Sequence, residues 1–297
     1  MSQSQLPNFI IFGSTKSGST SLCNYLLQHP DIFISEKKEP NFFLYDEGST
    51  ITNKNGKTIV YTMDWYKYWF RNAHQKAIGE ASVSYIADEQ APIRIKSRLP
   101  NVKLIALLRD PISRVYSHYL YYKRSNKEAV GLDLLKAIEN DQKIGSPKKY
   151  FEKGLYYYYL KNYFEIFDSK NIKLFLFEDF TSDPLKVVKD IFTFLDVDSS
   201  FVPIVGAKDA SSGIPKNKTI YNFIYKDNFL RKALRPIVRT LFPNREKRRT
   251  LWTNLINRSL SRPSLDSETR KILLEMYKSD IIELQQLINR DLSKWLS

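Results

Sequence analysis

Residues 8–22, NFIIFGSTKSGSTSL, decide the fold class of this chain. The apolar run Phe9–Phe12 is typical of a strand buried on both faces, and the glycine and hydroxyl residues after it are typical of a tight turn into a helix. Backbone N–H groups at the N-terminus of such a helix point at an anion, with the helix dipole behind them. The segment therefore predicts a strand, a phosphate-binding turn and a helix.

The turn departs from the Walker A nucleotide-binding loop at one position. Gly13 and Gly18 have the Walker spacing, and Thr20 occupies its Ser/Thr position. Ser19 stands where the motif requires lysine, and the lysine of the turn, Lys16, comes earlier. This departure disfavours an ATP-dependent phosphotransferase, which remains the alternative hypothesis.

Residues 15–20, TKSGST, resemble the PKSGTT loop of sulfotransferases that use 3′-phosphoadenosine 5′-phosphosulfate (PAPS). Thr15 replaces the proline and Ser19 replaces the first threonine, and both keep the small or hydroxyl character of the loop. The resemblance implies that the loop binds the 5′-phosphosulfate group of PAPS and that its lysine also assists catalysis. The residues so implicated are Lys16, Ser17, Gly18, Ser19, Thr20 and Ser21.

A second motif begins in residues 102–111, VKLIALLRDP. The apolar run predicts another buried strand, and Pro111 suits the first turn of a following helix. The pattern Arg-Asp-Pro-x-x-Arg-x-x-Ser resembles the 3′-phosphate-binding element of the same family. By that resemblance Arg109 and Ser117 bind the 3′-phosphate of PAPS. The alternative is an ion pair between Arg109 and Asp110.

A third motif lies in residues 35–43, SEKKEPNFF. It resembles the Lys-Glu-x-x-Phe-Phe segment of heparan-type and related bacterial carbohydrate sulfotransferases, which implies that Glu39 is the general base. A carboxylate within hydrogen-bond reach can take the proton that an attacking hydroxyl loses. The alternatives are a solvated polar loop and the neighbouring Glu36 in place of Glu39.

The chain departs from the family pattern in residues 79–85, GEASVSY. Ala81 stands where the resemblance implies a lysine that neutralises the transferred sulfuryl group. Lys16 is then the first candidate for that role. Further candidates are Lys37, Lys38, Lys216 and Lys218.

These patterns together predict an α/β fold, a three-layer P-loop-like domain with a central, mostly parallel sheet and a site at the carboxyl ends of the strands. One sulfotransferase domain is expected over residues 1–297, with a C-terminal helix at about 266–296 where apolar residues recur every three or four positions. A further strand is expected at residues 171–179, with Glu178 and Asp179 at its end, where a kinase would hold magnesium.

The charge balance, 46 basic against 32 acidic residues and a net charge of +14, indicates anionic partners. The basic excess is concentrated at residues 226–249, inside a segment at about 219–250 that has the pattern of a basic amphipathic helix. Such a segment lies on an anionic membrane, grips an acidic polymer, or packs on the core with a solvated basic face. No nucleic acid is expected, because no nucleic-acid-binding module is recognisable.

The resemblance implies transfer of a sulfuryl group from PAPS to an acceptor hydroxyl, on a carbohydrate or a glycolipid. No metal is expected. A cytoplasmic location is expected from the single cysteine, Cys23, and from the absence of a recognisable signal sequence before Asn8. A non-catalytic basic protein that binds membrane or nucleic acid is the alternative outside the enzymes.

Overall fold

The computed structural model describes residues 6–52, 56, 58–124, 133–206, 213–217, 255, 258–261 and 263–297. The chain divides into two compact units, of which the first comprises Met1–Arg114, Phe151–Val205 and Leu273–Ser297 and the second Val115–Tyr150 and Gly206–Ile272. The expectation of one domain stays a prediction. The predicted basic segment at 219–250 lies outside the described residues.

A five-stranded parallel sheet forms the centre of the first unit. The strands of this unit are β1 (Phe9–Gly13), β2 (Ile32–Ile34), β3 (Thr50–Thr52), β4 (Thr58–Val60), β5 (Ala77–Glu80), β6 (Lys103–Leu108) and β7 (Ile172–Leu176). The order in the sheet is β2-β5-β1-β6-β7, and every neighbouring pair is parallel. β3 and β4 form a separate antiparallel hairpin. The carboxyl ends of the parallel strands therefore meet at one edge.

Helices cover both faces of the sheet. The helices of the two units together are α1 (Ser19–Leu26), α2 (Met63–Tyr68), α3 (Ala91–Arg98), α4 (Pro111–Arg124), α5 (Leu134–Lys143), α6 (Tyr156–Ile166), α7 (Phe177–Ser182), α8 (Pro184–Phe194) and α9 (Ser267–Ile288), and those of the first unit form the two layers. Phe9 and Ile11 point into a core shared with α1 and α8. On the other face the Phe12 ring lies 4.6 Å from the ring of Tyr163 in α6. The predicted α/β class with a central parallel sheet between helical layers is confirmed.

Local chemistry explains where the elements of the site edge begin. Gly18 adopts a φ of 90°, a left-handed conformation that glycine accepts readily, and α1 starts at the next residue. Asp110 caps α4, because its carboxylate accepts hydrogen bonds from the backbone N–H groups of Ile112 at 3.0 Å and Ser113 at 3.3 Å. Gly79 leaves room for Phe9, since a Cβ there would lie 2.3 Å from that ring.

Two element ends differ from the sequence-based expectation. β7 ends at Leu176, so Glu178 and Asp179 lie in α7 rather than at the end of a strand. α7 buries Phe180, whose ring lies 5.9 Å from that of Tyr25 in α1. α9 ends at Ile288, and the next residue takes a left-handed φ of 49°, which stops the helix.

The second unit contains the C-terminal part of α4, α5, and a short antiparallel pair of β8 (Ile214–Pro215) and β9 (Leu260–Ser261). Asp133 caps α5 by accepting the Lys136 N–H at 2.8 Å. The buried Asp141 accepts the Tyr150 N–H at 2.7 Å. Over the part of the chain that the structure describes, no helix combines the length and the hydropathy needed to cross a membrane.

Candidate active site at the carboxyl edge of the sheet

The turn after β1 is held by its own hydroxyl groups. Ser14 and Ser17 are fully buried, and their Oγ atoms lie 2.6 Å apart. The Oγ of Ser14 also lies 3.1 Å from the phenolic oxygen of Tyr156 in α6. The N-cap residue of α1 is Gly18, which has no side chain to cap the helix. The N-terminus of a helix that begins in such a turn suits an anion, because its N–H groups and its dipole point toward it.

Arg109 leaves the end of β6 and contacts this turn. Its Nη1 donates a hydrogen bond of 3.0 Å to the backbone oxygen of Lys16, and its guanidinium lies 4.7 Å from the centre of the Phe177 ring. Burial lowers the pKa of Arg109 from its ordinary value. The carboxylate of Asp110 is used as the cap of α4, so Arg109 is directed to the turn rather than held in a simple pair with its neighbour. β1 and β6 are adjacent in the sheet, which brings the two motifs together.

Ser117 lies in α4 within the second unit, where its side chain is buried. Lys216 is also in the second unit, and Lys218 lies outside the described residues.

The four charged residues after β2 point to different partners. Glu36 forms an ion pair of 2.6 Å with Arg71. The Nζ of Lys37 lies 5.4 Å from the ring centres of both Trp65 and Trp69. Those contacts engage Glu36 and Lys37 with side chains of α2 and of the residues that follow it.

Lys38 and Glu39 are free of those contacts. The Nζ of Lys38 donates to the Oγ1 of Thr20, the first-turn threonine of α1, at 3.3 Å. Glu39 is half-buried and adopts a left-handed φ of 52°. The loop after β2 is thus connected to the phosphate-binding turn through Lys38, with Glu39 as the next residue.

Glu80, at the end of β5, is a buried carboxyl that the sequence reasoning did not assign to the site. Its side chain is fully buried. It accepts hydrogen bonds from the hydroxyls of Tyr66 and Tyr85, each at 2.9 Å, and from Ser82. Burial raises the pKa of Glu80 to about 7, against the opposing effect of these three donors. The signal for Glu80 in the sequence is a charged residue that closes an apolar strand.

The acids proposed for the kinase alternative lie on α7, where one of them is paired with an arginine. The carboxylate of Asp179 forms an ion pair of 2.7 Å with Arg290, and Glu178 precedes it on α7. Within the described ranges, no three His, Cys, Asp or Glu side chains come together as metal ligands.

Comparison with known proteins agrees with the motifs. A sulfotransferase domain model matches residues 6–232, and the chain belongs to this family. The family predicted from the three motifs is therefore confirmed.

The relatives named for carbohydrate substrates are much longer than this chain. A mouse (Mus musculus) protein, bifunctional heparan sulfate N-deacetylase/N-sulfotransferase 4, is 25% identical over 306 residues, which cover 98% of this chain and 31% of that protein. Human (Homo sapiens) carbohydrate sulfotransferase 15 is 26% identical over 246 residues, which cover 65% of this chain and 44% of that protein. The chain thus spans less than half of these relatives.

Two solved structures are similar in fold to this chain. A sulfotransferase from Alicyclobacillus acidocaldarius aligns with a TM-score of 0.72 and 27% identity, covering 99% of this chain and 100% of the other. The sulfotransferase domain from the curacin biosynthetic pathway aligns with a TM-score of 0.50 at 16% identity, covering 92% of this chain and 98% of that one, which supports the fold alone.

Proposed function

We propose that this protein transfers a sulfuryl group from PAPS to a hydroxyl group of a carbohydrate. The observation that carries the proposal is the hydrogen bond from Arg109 to the backbone of Lys16. It joins a strand-end guanidinium to a turn whose N–H groups suit an anion, at one edge of the sheet. PAPS carries two anionic groups, a 5′-phosphosulfate and a 3′-phosphate. The turn after β1 and Arg109 provide one binding element for each group.

Each element then has a role in the reaction. The backbone of residues 17–21 and the Lys16 ammonium hold the 5′-phosphosulfate, while Arg109 and Ser117 hold the 3′-phosphate. Glu39 takes the proton of the acceptor hydroxyl as its oxygen attacks sulfur. The bond from sulfur to the bridging phosphate oxygen breaks, and the electron pair leaves with 3′-phosphoadenosine 5′-phosphate (PAP). Alignment and charge stabilisation supply the catalysis, as in phosphoryl transfer.

The acceptor is proposed to be a sugar hydroxyl on a polysaccharide or a glycolipid. The names of the mouse and human relatives support a carbohydrate. Contact of residues 219–250 with an anionic membrane and a cytoplasmic location stay predictions.

Ligand binding separates this proposal from its alternatives. We expect PAP to raise the melting temperature, and ATP and single-stranded DNA to leave it unchanged, because the turn lacks the Walker lysine and the site carries a second anion-binding element. Labelled PAPS should donate its sulfuryl group in excess EDTA, since no metal is required. Stabilisation by ATP together with loss of transfer in EDTA would support the kinase alternative. Stabilisation by DNA alone would support a binding protein.

Lys38 is the lysine whose contacts suit the role left open by Ala81. Ala81 is itself buried in the core cluster. Lys37 is occupied by the two tryptophan rings, whereas Lys38 reaches Thr20 in the proposed phosphosulfate-binding turn. The ammonium of Lys38 then neutralises charge on the sulfuryl group together with Lys16, a role that its bond to Thr20 supports.

We expect Lys38→Ala to lower kcat by roughly tenfold, a modest factor because the side chain is exposed and solvent screens its charge. The dissociation constant of PAP should change little, because PAP lacks the sulfuryl group. Lys37→Ala is the matched control, since it removes the same charge one residue earlier. Equal losses of kcat in both variants would contradict the role of Lys38.

A further inference from the structure

Two of the hydroxyls that donate hydrogen bonds to Glu80 also accept hydrogen bonds from the backbone of the loop that carries Glu39. The Oγ of Ser82 accepts the N–H of Asn41 at 2.9 Å. The phenolic oxygen of Tyr85 accepts the N–H of Phe43 at 3.3 Å. Two paths therefore run from one buried carboxyl to two backbone amides just beyond Glu39.

The ionised carboxylate of Glu80 determines which group donates in each of these hydrogen bonds. A hydroxyl has one proton to donate and two lone pairs that accept. Ser82 and Tyr85 each give that proton to Glu80, which leaves their lone pairs for the backbone N–H groups. A neutral Glu80 would carry a proton of its own and remove one of the acceptors on which this arrangement depends.

The loop needs such support because its backbone is unfavourable. Glu39 has a φ of 52° and Asn41 a φ of 56°, both left-handed, with Pro40 between them. Non-glycine residues keep such conformations only when their surroundings enforce them. We infer that Glu80, acting through Ser82 and Tyr85, is a positioning residue that fixes the backbone around the proposed base Glu39. This inference rests on the proposed function.

Stability and activity then respond oppositely to pH. Burial raises the pKa of Glu80 from 4.5 to about 7. The contribution of protonated Glu80 to the free energy of unfolding is therefore complete below pH 4.5 and is lost as the pH rises through 7. The ionised form needed to hold the loop accumulates over the same range, so kcat should rise. The titratable groups acting on Glu80 are Tyr66 of α2, Tyr85 after β5, and Glu39.

Tyr66 and Tyr85 form a matched pair for the test. Both are fully buried and donate to the same oxygen of Glu80 at 2.9 Å, but it is Tyr85 whose hydroxyl also accepts the N–H of Phe43 in the loop. Tyr66→Phe and Tyr85→Phe should both move the pH midpoint of kcat upward, because each removes a donor that lowers the pKa of Glu80.

At pH 9, where Glu80 is ionised, we expect Tyr85→Phe and Ser82→Ala to lower kcat about tenfold and Tyr66→Phe to stay within about twofold of wild type. The KM for PAPS and the thermal shift with PAP should be unchanged in all three. Amide hydrogen exchange should become faster at Phe43 in Tyr85→Phe and at Asn41 in Ser82→Ala, and not in Tyr66→Phe.

The inference is overturned if Tyr85→Phe and Ser82→Ala match Tyr66→Phe in both kcat and exchange. Absence of sulfuryl transfer by the wild type would instead refute the proposed function, and the exchange measurements would still decide whether the network holds the loop.

Discussion

We expect Glu39→Gln to lower kcat for sulfuryl transfer by about 10³-fold, because an amide cannot accept the proton that the acceptor hydroxyl loses, and general-base catalysis commonly contributes 10²–10⁴-fold. PAP should bind as before, since the phosphate-binding turn and Arg109 are untouched. Steady-state rates with labelled PAPS and calorimetry with PAP measure the two quantities.

Glu36→Gln is the control for that experiment. Glu36 lies three residues earlier and bears the same charge, but it is engaged by Arg71 at 2.6 Å and by the Asn72 amide at 2.7 Å. We expect its kcat to stay within about twofold of wild type, because an exposed ion pair contributes little to stability. A rate for Glu39→Gln that equals that of Glu36→Gln would remove Glu39 from the role of base.

Arg109→Ala is expected to weaken PAP binding by about 10²-fold, since a hydrogen bond between charged groups is worth roughly 1.5–3 kcal/mol. AMP, which lacks the 3′-phosphate, should lose much less affinity. Calorimetric titration of both nucleotides against wild type and variant gives the comparison. The ratio of the AMP and PAP dissociation constants measures the preference for the 3′-phosphate, and Arg109→Ala should lower this ratio.

Arg98→Ala provides the control for Arg109, because Arg98 forms an exposed ion pair with Glu47 at 2.5 Å. It should leave both nucleotide affinities unchanged. Equal losses of PAP and AMP affinity in Arg109→Ala would contradict 3′-phosphate recognition. They would show instead that Arg109 acts by holding the backbone of Lys16.

The part of the site that the sequence predicted is the part that depends on short segments and on sheet topology. The turn at 13–18 follows its strand directly, and Arg109 closes another apolar strand. Buried parallel strands present their carboxyl ends at one edge, so two such strand ends are brought near each other once the sheet forms. The contact of Arg109 with Lys16 is the physical outcome.

The roles within residues 35–43 were ambiguous in sequence and are separated by contacts with distant parts of the chain. Two glutamates and two lysines in four consecutive positions have similar local chemistry. Trp65 and Trp69 engage Lys37, Arg71 engages Glu36, and Thr20 engages Lys38. For Glu178 and Asp179 the sequence-based prediction was wrong. They were expected at the end of a strand, and they lie in α7.

The amino-acid sequence by itself determined the family, the parallel α/β fold and the segments that carry the phosphate-binding chemistry, because these follow from local pattern and strand order. Only the tertiary structure decided which charged neighbour faces the turn and that Glu80 lies beneath the loop of Glu39. Those outcomes depend on side chains that the sequence separates by tens of residues. Burial and hydrogen bonding among them are properties of the packed core rather than of any single segment.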